Sequence, residues 1–175
     1  MRKPATTSAN GHRSNGLSYQ VLNSAIQGKG VFAVRRIRKN QRLIEYAGEI
    51  ISNEEADSRY DDEAMNRHHT FLFTLDKNRV IDGNSAGNTA RFINHSCQPN
   101  CEAVEEDDGI WIYSFRNIQP GVELTYDYSF EHDGKLTESD RKQYPCYCGS
   151  PKCRGTILKV KRKRKSRSKR RNGAG

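Results

Sequence analysis

The chain has 175 residues, enough for one ordinary domain with tails, and no apolar run approaches the roughly 20 residues that a membrane-spanning helix requires. The net charge of +9 is concentrated: ten of the 30 Lys and Arg lie in residues 159–171, which leaves 20 basic against 21 acidic residues elsewhere, a net charge of −1. This distribution argues against a membrane protein and against a uniformly basic nucleic-acid-binding body. Acidic residues cluster in 45–63 and 102–108, which favours basic peptides as partners.

The N-terminal residues 1–16 are polar and lack the apolar stretch of a secretory signal, so we predict a disordered tail on an intracellular protein. From Leu17 onward, short apolar runs alternate with turn residues, which is typical of a mainly β fold. Turns are predicted at Asp108-Gly109 and at Gln119-Pro-Gly121. Strands are expected near residues 19–23, 30–34, 42–50, 70–75, 80–81, 101–104, 110–116 and 123–127.

One helix is predicted to begin at Ser52, where Ser-Asn-Glu-Glu55 has the spacing of a capping box, and to run to about Asn66. Glu54 and Glu55 in its first turn suit the positive end of the helix dipole. Residues 131–144 are polar and are predicted to be a linker with one helical turn near Ser139.

The cysteines indicate a metal site. Five cysteines, an odd number, in a chain without an export signal argue against a disulfide framework. Three of them lie in Cys146-Tyr-Cys148-Gly-Ser-Pro-Lys-Cys153, and Zn²⁺ requires four ligands in a tetrahedron. On spacing alone the fourth ligand could be Cys97, Cys101 or His132. We therefore expect a small zinc-bound module over residues 145–158.

The segment Arg91-Phe-Ile-Asn-His-Ser-Cys-Gln-Pro-Asn100 combines apolar residues with groups that need partners when buried. By itself it could be a buried turn with His95 as a core histidine. However, it occurs with Gly28-Lys-Gly-Val-Phe32, Glu45-Tyr-Ala-Gly-Glu49, Glu123-Leu-Thr-Tyr-Asp-Tyr128 and the cysteine cluster in a fixed order. In this order the motifs resemble the SET-domain family of protein lysine methyltransferases, followed by the cysteine-rich module called post-SET.

The resemblance covers roughly residues 19–158 and implies the SET fold, with several short-stranded sheets, a threaded pseudoknot loop, one helical insert and a zinc-bound C-terminal knuckle. The implied domains are a catalytic domain over 17–130, the linker 131–144 and the post-SET module 145–158, followed by the basic tail 159–175. The implied activity is transfer of methyl groups from S-adenosyl-L-methionine to a lysine of a histone or similar basic protein.

The resemblance also implies site residues. Asn94 and His95 match positions that hold the cofactor, and Gln27, Lys29 and Gly30 match an early loop whose backbone approaches it. Cys97 matches the fourth zinc ligand. The other implied cofactor contacts are Phe71, where many relatives carry tyrosine, and Arg91, Phe92, Tyr147 and Leu158.

Three tyrosines carry the implied chemistry. Tyr128 matches the catalytic tyrosine, and Tyr46 matches an aromatic wall of the lysine channel. Tyr126 matches a position where the family varies between Phe and Tyr. Because a hydroxyl there crowds the channel, we expect addition of one or two methyl groups.

The basic tail, residues 159–175, is predicted to be disordered because its like charges repel. Tethering to nucleic acid, nuclear import, solubility and entry into the protein's own substrate groove are all open uses. Rival functions are a zinc-stabilised nucleic-acid-binding protein and an inactive SET scaffold. We expect a monomer, in the nucleus or on the chromosome of a eukaryote, or in the cytoplasm, the nucleoid or a host nucleus for a bacterial protein.

Overall fold

The computed structural model describes residues 17–60, 71–84, 87–107, 109–132 and 134–160. The predicted tails at 1–16 and 161–175 lie outside this part of the chain. The described residues form a mainly β fold with few helices, as the sequence predicts. Its strands are β1 Tyr19–Asn23, β2 Lys29–Ala33, β3 Arg42–Glu45, β4 Glu49–Ser52, β5 Leu72–Thr74, β6 Arg79–Asp82, β7 Asn94–His95, β8 Cys101–Glu106, β9 Gly109–Ser114, β10 Glu123–Tyr126, β11 Phe130–His132 and β12 Leu158–Val160.

The strands form four small sheets. Their orders are β1-β2-β10-β7, β3-β9-β8, β4-β6-β5 and β11-β12. The pairings β7–β10 and β11–β12 are parallel, and the others are antiparallel. Parallel neighbours come from segments far apart in the chain, so these two pairings are set by tertiary structure rather than by local turns.

The core lies between these sheets. In β9 the side chains alternate, so that Ile110, Ile112 and Ser114 are buried while their neighbours are half-buried. Val31 of β2 and Leu124 of β10 are fully buried in the same cluster. The strands were predicted from short apolar runs between turn residues, and β9 lies within the run predicted near residues 110–116.

The predicted strand 42–50 is wrong as a single element. It is two strands, β3 and β4, which pair with β9 and β6 in different sheets. Between them, Tyr46 turns into the core, and a Cβ at Gly48 would collide with the backbone oxygen of Asp82. The close approach of two backbones ends one strand and begins another, which the residue pattern does not reveal.

The hairpin turn joining β8 and β9 lies one residue earlier than predicted. Glu106 pairs with Gly109, so Gly109 is already in the strand rather than in the turn. Asp107 has a φ of 48°, which aspartate tolerates better than most residues. At the other predicted turn, the amide of Val122 donates to the carbonyl of Gln119 at 3.3 Å and Gly121 has a φ of 79°, which confirms it.

The first helix, α1, spans Asn53–Arg59 with Ser52 as its N-cap, so its start is confirmed. It ends at Tyr60 rather than near Asn66, and residues 61–66 lie outside the described residues. Two contacts favour this end: Arg59 donates to Asp82 at 3.1 Å, and the Tyr60 hydroxyl donates to the same carboxylate. These bonds fix the helix end to β6.

A second short helix, α2, spans Glu138–Gln143 and carries a capping box between Thr137 and Asp140, which confirms the helical turn near Ser139. The predicted boundary of the basic tail at residue 159 is too early. Lys159 and Val160 lie in β12, paired with β11. In the sequence, Lys159 is charged and Val160 is a single apolar residue among basic ones, so both resemble the tail. Pairing with β11 makes them part of a strand.

Candidate active site

A cavity of about 930 Å³ lies where β7, β10, the loop before β2 and the segment 71–74 meet. Its size falls within the range of about 300–1,000 Å³ found for small-molecule sites. Most of the residues that the sequence predicts for the site line it: Gln27, Lys29, Tyr46, Phe71, Arg91, Phe92, Asn94, Tyr126 and Tyr128.

One wall of the cavity is a series of aromatic rings. Tyr46 packs on Phe73 with ring centroids 5.2 Å apart, Phe73 stacks on Tyr126 at 6.2 Å, and Tyr126 packs on Tyr128 at 4.9 Å. Phe130, at 5.8 Å from Tyr128, continues the series to the surface. Such a passage admits a long unbranched side chain and disfavours a charged group within it.

The Tyr128 side chain is held at both ends. Its hydroxyl donates to the carbonyl of Ile93 at 2.9 Å, and its backbone amide donates to Nδ1 of His95 at 3.1 Å. Burial raises the pKa of Tyr128 above its ordinary value, so the phenol stays protonated at neutral pH. Tyr128 can therefore orient a reactant through its hydroxyl oxygen, but it is not poised to remove a proton.

Tyr46 is anchored from the opposite side. Its hydroxyl donates to the carbonyl of Phe71 at 2.8 Å, and burial raises its pKa as well. Gly83 makes this anchor possible, because a Cβ there would lie 2.7 Å from the Tyr46 hydroxyl and 2.8 Å from the Phe71 carbonyl. The ring thus depends on a residue that carries no side chain.

The amide of Asn94 connects three segments. Its Nδ2 atom donates to the carbonyl of Lys29 at 2.9 Å, to the carbonyl of Gln27 at 3.2 Å and to Glu123 at 2.8 Å. Glu123 also accepts from the Ser24 hydroxyl at 2.8 Å. These bonds set the shape of the loop before β2, and therefore the floor of the cavity.

His95 lies behind the cavity wall. Its Nδ1 accepts the Tyr128 amide, which places the proton on Nε2, 3.5 Å from Sγ of Cys97. Burial lowers the pKa of His95 to about 4, so the ring is neutral at pH 7. Because the ring is neutral, His95 contacts both the Tyr128 amide and Sγ of Cys97 without adding a positive charge between them.

Arg91 crosses the mouth of the cavity. Its guanidinium lies 4.7 Å from the centre of the Phe92 ring and 5.3 Å from that of Phe71. Its Nη1 donates to the carbonyl of Asn84 at 3.2 Å. Phe71 lacks the hydroxyl that many relatives carry at this position, but its ring still makes a cation–π contact with Arg91. This contact helps to hold the mouth of the cavity together.

Four cysteines meet beside the cavity. The Sγ atoms of Cys97, Cys146, Cys148 and Cys153 all lie within 4.8 Å of one another, and those of Cys97 and Cys146 are 3.7 Å apart. Sulfurs bound tetrahedrally to Zn²⁺ at about 2.3 Å are about 3.8 Å apart. The set therefore fits zinc. The other candidates lie elsewhere: Cys101 is buried in β8, and His132 faces Asp140 at 3.5 Å.

Backbone amides support this donor set. The amide of Arg154 donates to Sγ of Cys97 and that of Gly155 to Sγ of Cys153, both at 3.3 Å. Such bonds stabilise thiolates and orient metal ligands. Because Cys97 lies two residues after His95, a metal here would attach the C-terminal module to the cavity wall.

Residues 28–129 match the family model described as SET domain, which is more than half of the chain. The chain belongs to the SET-domain family. It is 45% identical over 141 residues to "Histone-lysine N-methyltransferase, H3 lysine-4 specific" of Schizosaccharomyces pombe, which covers 77% of this chain and 14% of that protein.

Two animal proteins are similar to the same part of this SET-domain chain. It is 41% identical over 135 residues to "Histone-lysine N-methyltransferase trr" of Drosophila melanogaster and to "Histone-lysine N-methyltransferase 2D" of Homo sapiens. The match covers 75% of this chain but only 5% and 2% of those proteins. The chain thus spans a small fraction of the length of these relatives.

Four predicted cofactor residues lie away from the large cavity, namely Gly30, His95, Tyr147 and Leu158. Tyr147 is 61% exposed and lines a small neighbouring cleft with Asn94 and His95. Leu158 is buried in β12 and lines neither space. Gly30 lines neither as well, because its missing side chain leaves room for Glu123 rather than for a ligand.

Sequence reasoning missed four positions that shape the SET site. Glu123 and Asp127 lie within the Glu-Leu-Thr-Tyr-Asp-Tyr motif, and Arg154 directly follows the last cysteine, so adjacency to a motif was the available signal. Gly83 had no comparable signal, because its role depends on Tyr46 and Phe71, which are distant in sequence.

No helix among the described residues of the chain is long and apolar enough to span a membrane.

Proposed function

We propose that this SET-domain chain is a protein-lysine N-methyltransferase that uses S-adenosyl-L-methionine. The observation that carries this proposal is the continuity of the aromatic wall formed by Tyr46, Tyr126 and Tyr128 with the Asn94–His95 strand. One part of the cavity suits an unbranched side chain, and the adjoining part, with backbone groups and stacked rings, suits an amino-acid and nucleoside ligand.

The residues available for the cofactor are the backbone at Gln27 and Lys29, the rings of Phe71 and Phe92, and the Asn94–His95 strand. Tyr147, which lines the neighbouring cleft, is proposed to cover the ligand. SET methyltransferases use S-adenosyl-L-methionine, whose sulfonium supplies an electrophilic methyl group. The cavity matches this chemistry because it combines apolar faces with a few convergent polar groups.

The chain's own contribution is to present a neutral amine. A lysine ammonium has an ordinary pKa near 10.4, and only its deprotonated form is a nucleophile. The aromatic wall disfavours the charged form by excluding water. Tyr128 is kept neutral by burial and donates its hydroxyl proton to the carbonyl of Ile93, so its oxygen accepts one hydrogen bond that aligns the amine. Alignment accounts for much of the remaining acceleration.

We propose that the substrate lysine belongs to a histone or another basic protein. Exposed Glu102 on β8 lines the cavity, and Glu131 on β11 lies at the same rim. The similar proteins of Drosophila melanogaster and Schizosaccharomyces pombe are histone-lysine N-methyltransferases by name, which supports the proposal. We further propose that the chain acts as a monomer, that the basic tail tethers it near nucleic acid, and that it works on nuclear or nucleoid proteins.

The four-cysteine set is proposed to bind Zn²⁺ as a structural module. All four positions would be occupied by thiolates, so the metal would have no open position for chemistry. Its proposed effect is to hold the knuckle against Cys97, and hence against the strand that carries Asn94 and His95.

The decisive experiment is to incubate the full chain with methyl-labelled S-adenosylmethionine and core histones. Wild type should label histones, and Tyr128→Phe and His95→Ala should lose most of the label. Tyr113→Phe is a matched control, because that hydroxyl donates to Glu106 at 2.7 Å and neither residue lines the cavity. No labelling by wild type over a range of basic proteins would reject the enzyme in favour of a scaffold or a nucleic-acid-binding protein.

A further inference from the structure

The last strand that the structure describes ends beside the cavity, directly before the chain's most basic segment. Strand β12 pairs in parallel with β11, and its first residue, Leu158, lies opposite Phe130, whose ring packs against Tyr128. Lys159 follows, lines the cavity and donates from Nζ to the hydroxyl oxygen of Ser129 at 3.3 Å. The chain therefore leaves the described fold one residue after a residue of the cavity wall.

The residues that follow are lysine-rich. Residues 161–171 read Lys-Arg-Lys-Arg-Lys-Ser-Arg-Ser-Lys-Arg-Arg and contain no acidic residue. An extended chain spans roughly 3.3 Å per residue, so the five residues after Val160 cover about 17 Å. This reach is sufficient for Lys163 or Lys165 to turn back to an opening that starts at Lys159.

The rim offers charge that suits such a segment. Lys159 lies opposite Glu131 in the parallel pair, and Glu102 is exposed on the edge strand β8 while also lining the cavity. The chain outside 159–171 has a net charge of −1, whereas 159–171 carries ten positive charges. Attraction between the two parts is local and requires no second molecule.

We propose that the enzyme methylates lysines of its own tail, within 161–171, in an intramolecular reaction. This inference rests on the proposed methyltransferase function. In the reaction, the neutral amine of a tail lysine forms an N–CH₃ bond as the S–CH₃ bond of S-adenosylmethionine breaks. The sulfur keeps the electron pair of that bond, the product is S-adenosylhomocysteine, and the proton of the new ammonium is lost to solvent.

Tethering decides the competition with other substrates. A short flexible connection gives a segment an effective concentration in the millimolar range, far above a protein substrate at micromolar concentration. The tail therefore occupies the groove first. Once its lysines are fully methylated, the tail accepts no further methyl groups. It still competes for the substrate site, and an external substrate must displace it.

The test uses the full chain with labelled S-adenosylmethionine and no added substrate, followed by peptide mass spectrometry of the tail. We expect label on one or more of Lys161, Lys163, Lys165 and Lys169, with a fraction methylated per unit time that does not change on tenfold dilution of the enzyme. A variant with these four lysines changed to arginine keeps the charge and should lose the tail label while still labelling histones.

A mixing experiment separates reaction within a chain from reaction between chains. When wild type is mixed with Tyr128→Phe, only the wild-type chain should gain methyl groups on its tail, and the two chains are distinguished by mass. Labelled histones with an unlabelled tail would overturn this inference and leave the proposed function intact. Equal labelling of both chains, or a rate proportional to enzyme concentration, would overturn it too. If neither histones nor tail are labelled, the proposed function and this inference both fail.

Discussion

Arg154 forms a bidentate ion pair with Asp127: Nη1 donates to Oδ2 at 2.8 Å and Nη2 to Oδ1 at 3.0 Å. The two residues belong to different modules, because Arg154 follows the last cysteine and Asp127 lies between the cavity tyrosines 126 and 128. Asp127 Oδ1 also lies 3.5 Å from Nδ1 of His95. Burial opposes ionisation of Asp127, but the hydrogen bonds from Arg154 and from the Ser129 amide, together with the positive charge of Arg154, lower its pKa. The pair therefore joins the cysteine module to the end of β10, beside Tyr126 and Tyr128, independently of any metal.

The first prediction concerns this pair. Arg154→Met should weaken S-adenosylmethionine binding by about tenfold, since loss of a charged hydrogen-bonded partner costs about 1.5–3 kcal/mol and tenfold in Kd is 1.4 kcal/mol. Titration calorimetry gives the Kd. Lys152→Met is the matched control, an exposed residue of the same loop. If Arg154→Met and Asp127→Asn were fully additive in a double-mutant cycle, the coupling would be absent.

The second prediction concerns Tyr126, which is 7% exposed and lines the cavity beside Tyr128. The proposed limit to two methyl groups assigns to its hydroxyl the space of a third. Wild type should yield mono- and dimethylated lysine, and Tyr126→Phe should yield trimethyllysine as a main product. Mass spectrometry of a lysine peptide measures the distribution. Efficient trimethylation by wild type would contradict this assignment, and Tyr113→Phe should leave the distribution unchanged.

The third prediction concerns zinc. Cys97→Ser, or chelation, should remove bound metal and weaken cofactor binding at least tenfold, because the strand of Asn94 and His95 loses its metal-mediated attachment to the knuckle and retains the connection through Arg154 and Asp127. Metal content by mass spectrometry and Kd by calorimetry are the two readouts. Cys101→Ala is the control: this residue is also a cysteine near the cavity but lies outside the cluster. Full metal loss with an unchanged Kd would show that the module does not support the cofactor site.

The fourth prediction concerns Gly83. In Gly83→Ala the new Cβ would lie 2.6 Å from Nδ2 of Asn88 and 2.8 Å from the Phe71 carbonyl, a backbone atom that cannot easily move. We expect a loss of about 1–3 kcal/mol in unfolding free energy, the usual range for overpacking, and a lower kcat through displacement of Tyr46. Gly109→Ala is the control, since its nearest contact would be an ordinary 3.5 Å. Denaturant unfolding and steady-state kinetics separate the two effects.

Much of the fold follows from local pattern. The strand predicted near residues 110–116, the N-cap at Ser52 and the turn at Gln119–Gly121 are short-range features, and the structure confirms them. The two-residue strand β7 could not be predicted, because Asn94 and His95 have no strand pattern and pair with β10 only through the tertiary fold. The division of 42–50 between two sheets depends in the same way on distant partners.

The sequence by itself determined the family, the aromatic and cysteine content of the site and the contrast between a near-neutral body and a basic tail, because motif order and charge are properties of the chain. Only the tertiary structure decided which residues meet. It brought Cys97 to the C-terminal cysteines, placed Gly30 against Glu123 instead of the cavity, and directed Lys159 to the cavity rim. Contacts between residues far apart in the chain depend on the packing of the whole domain, and a local pattern carries no record of that packing.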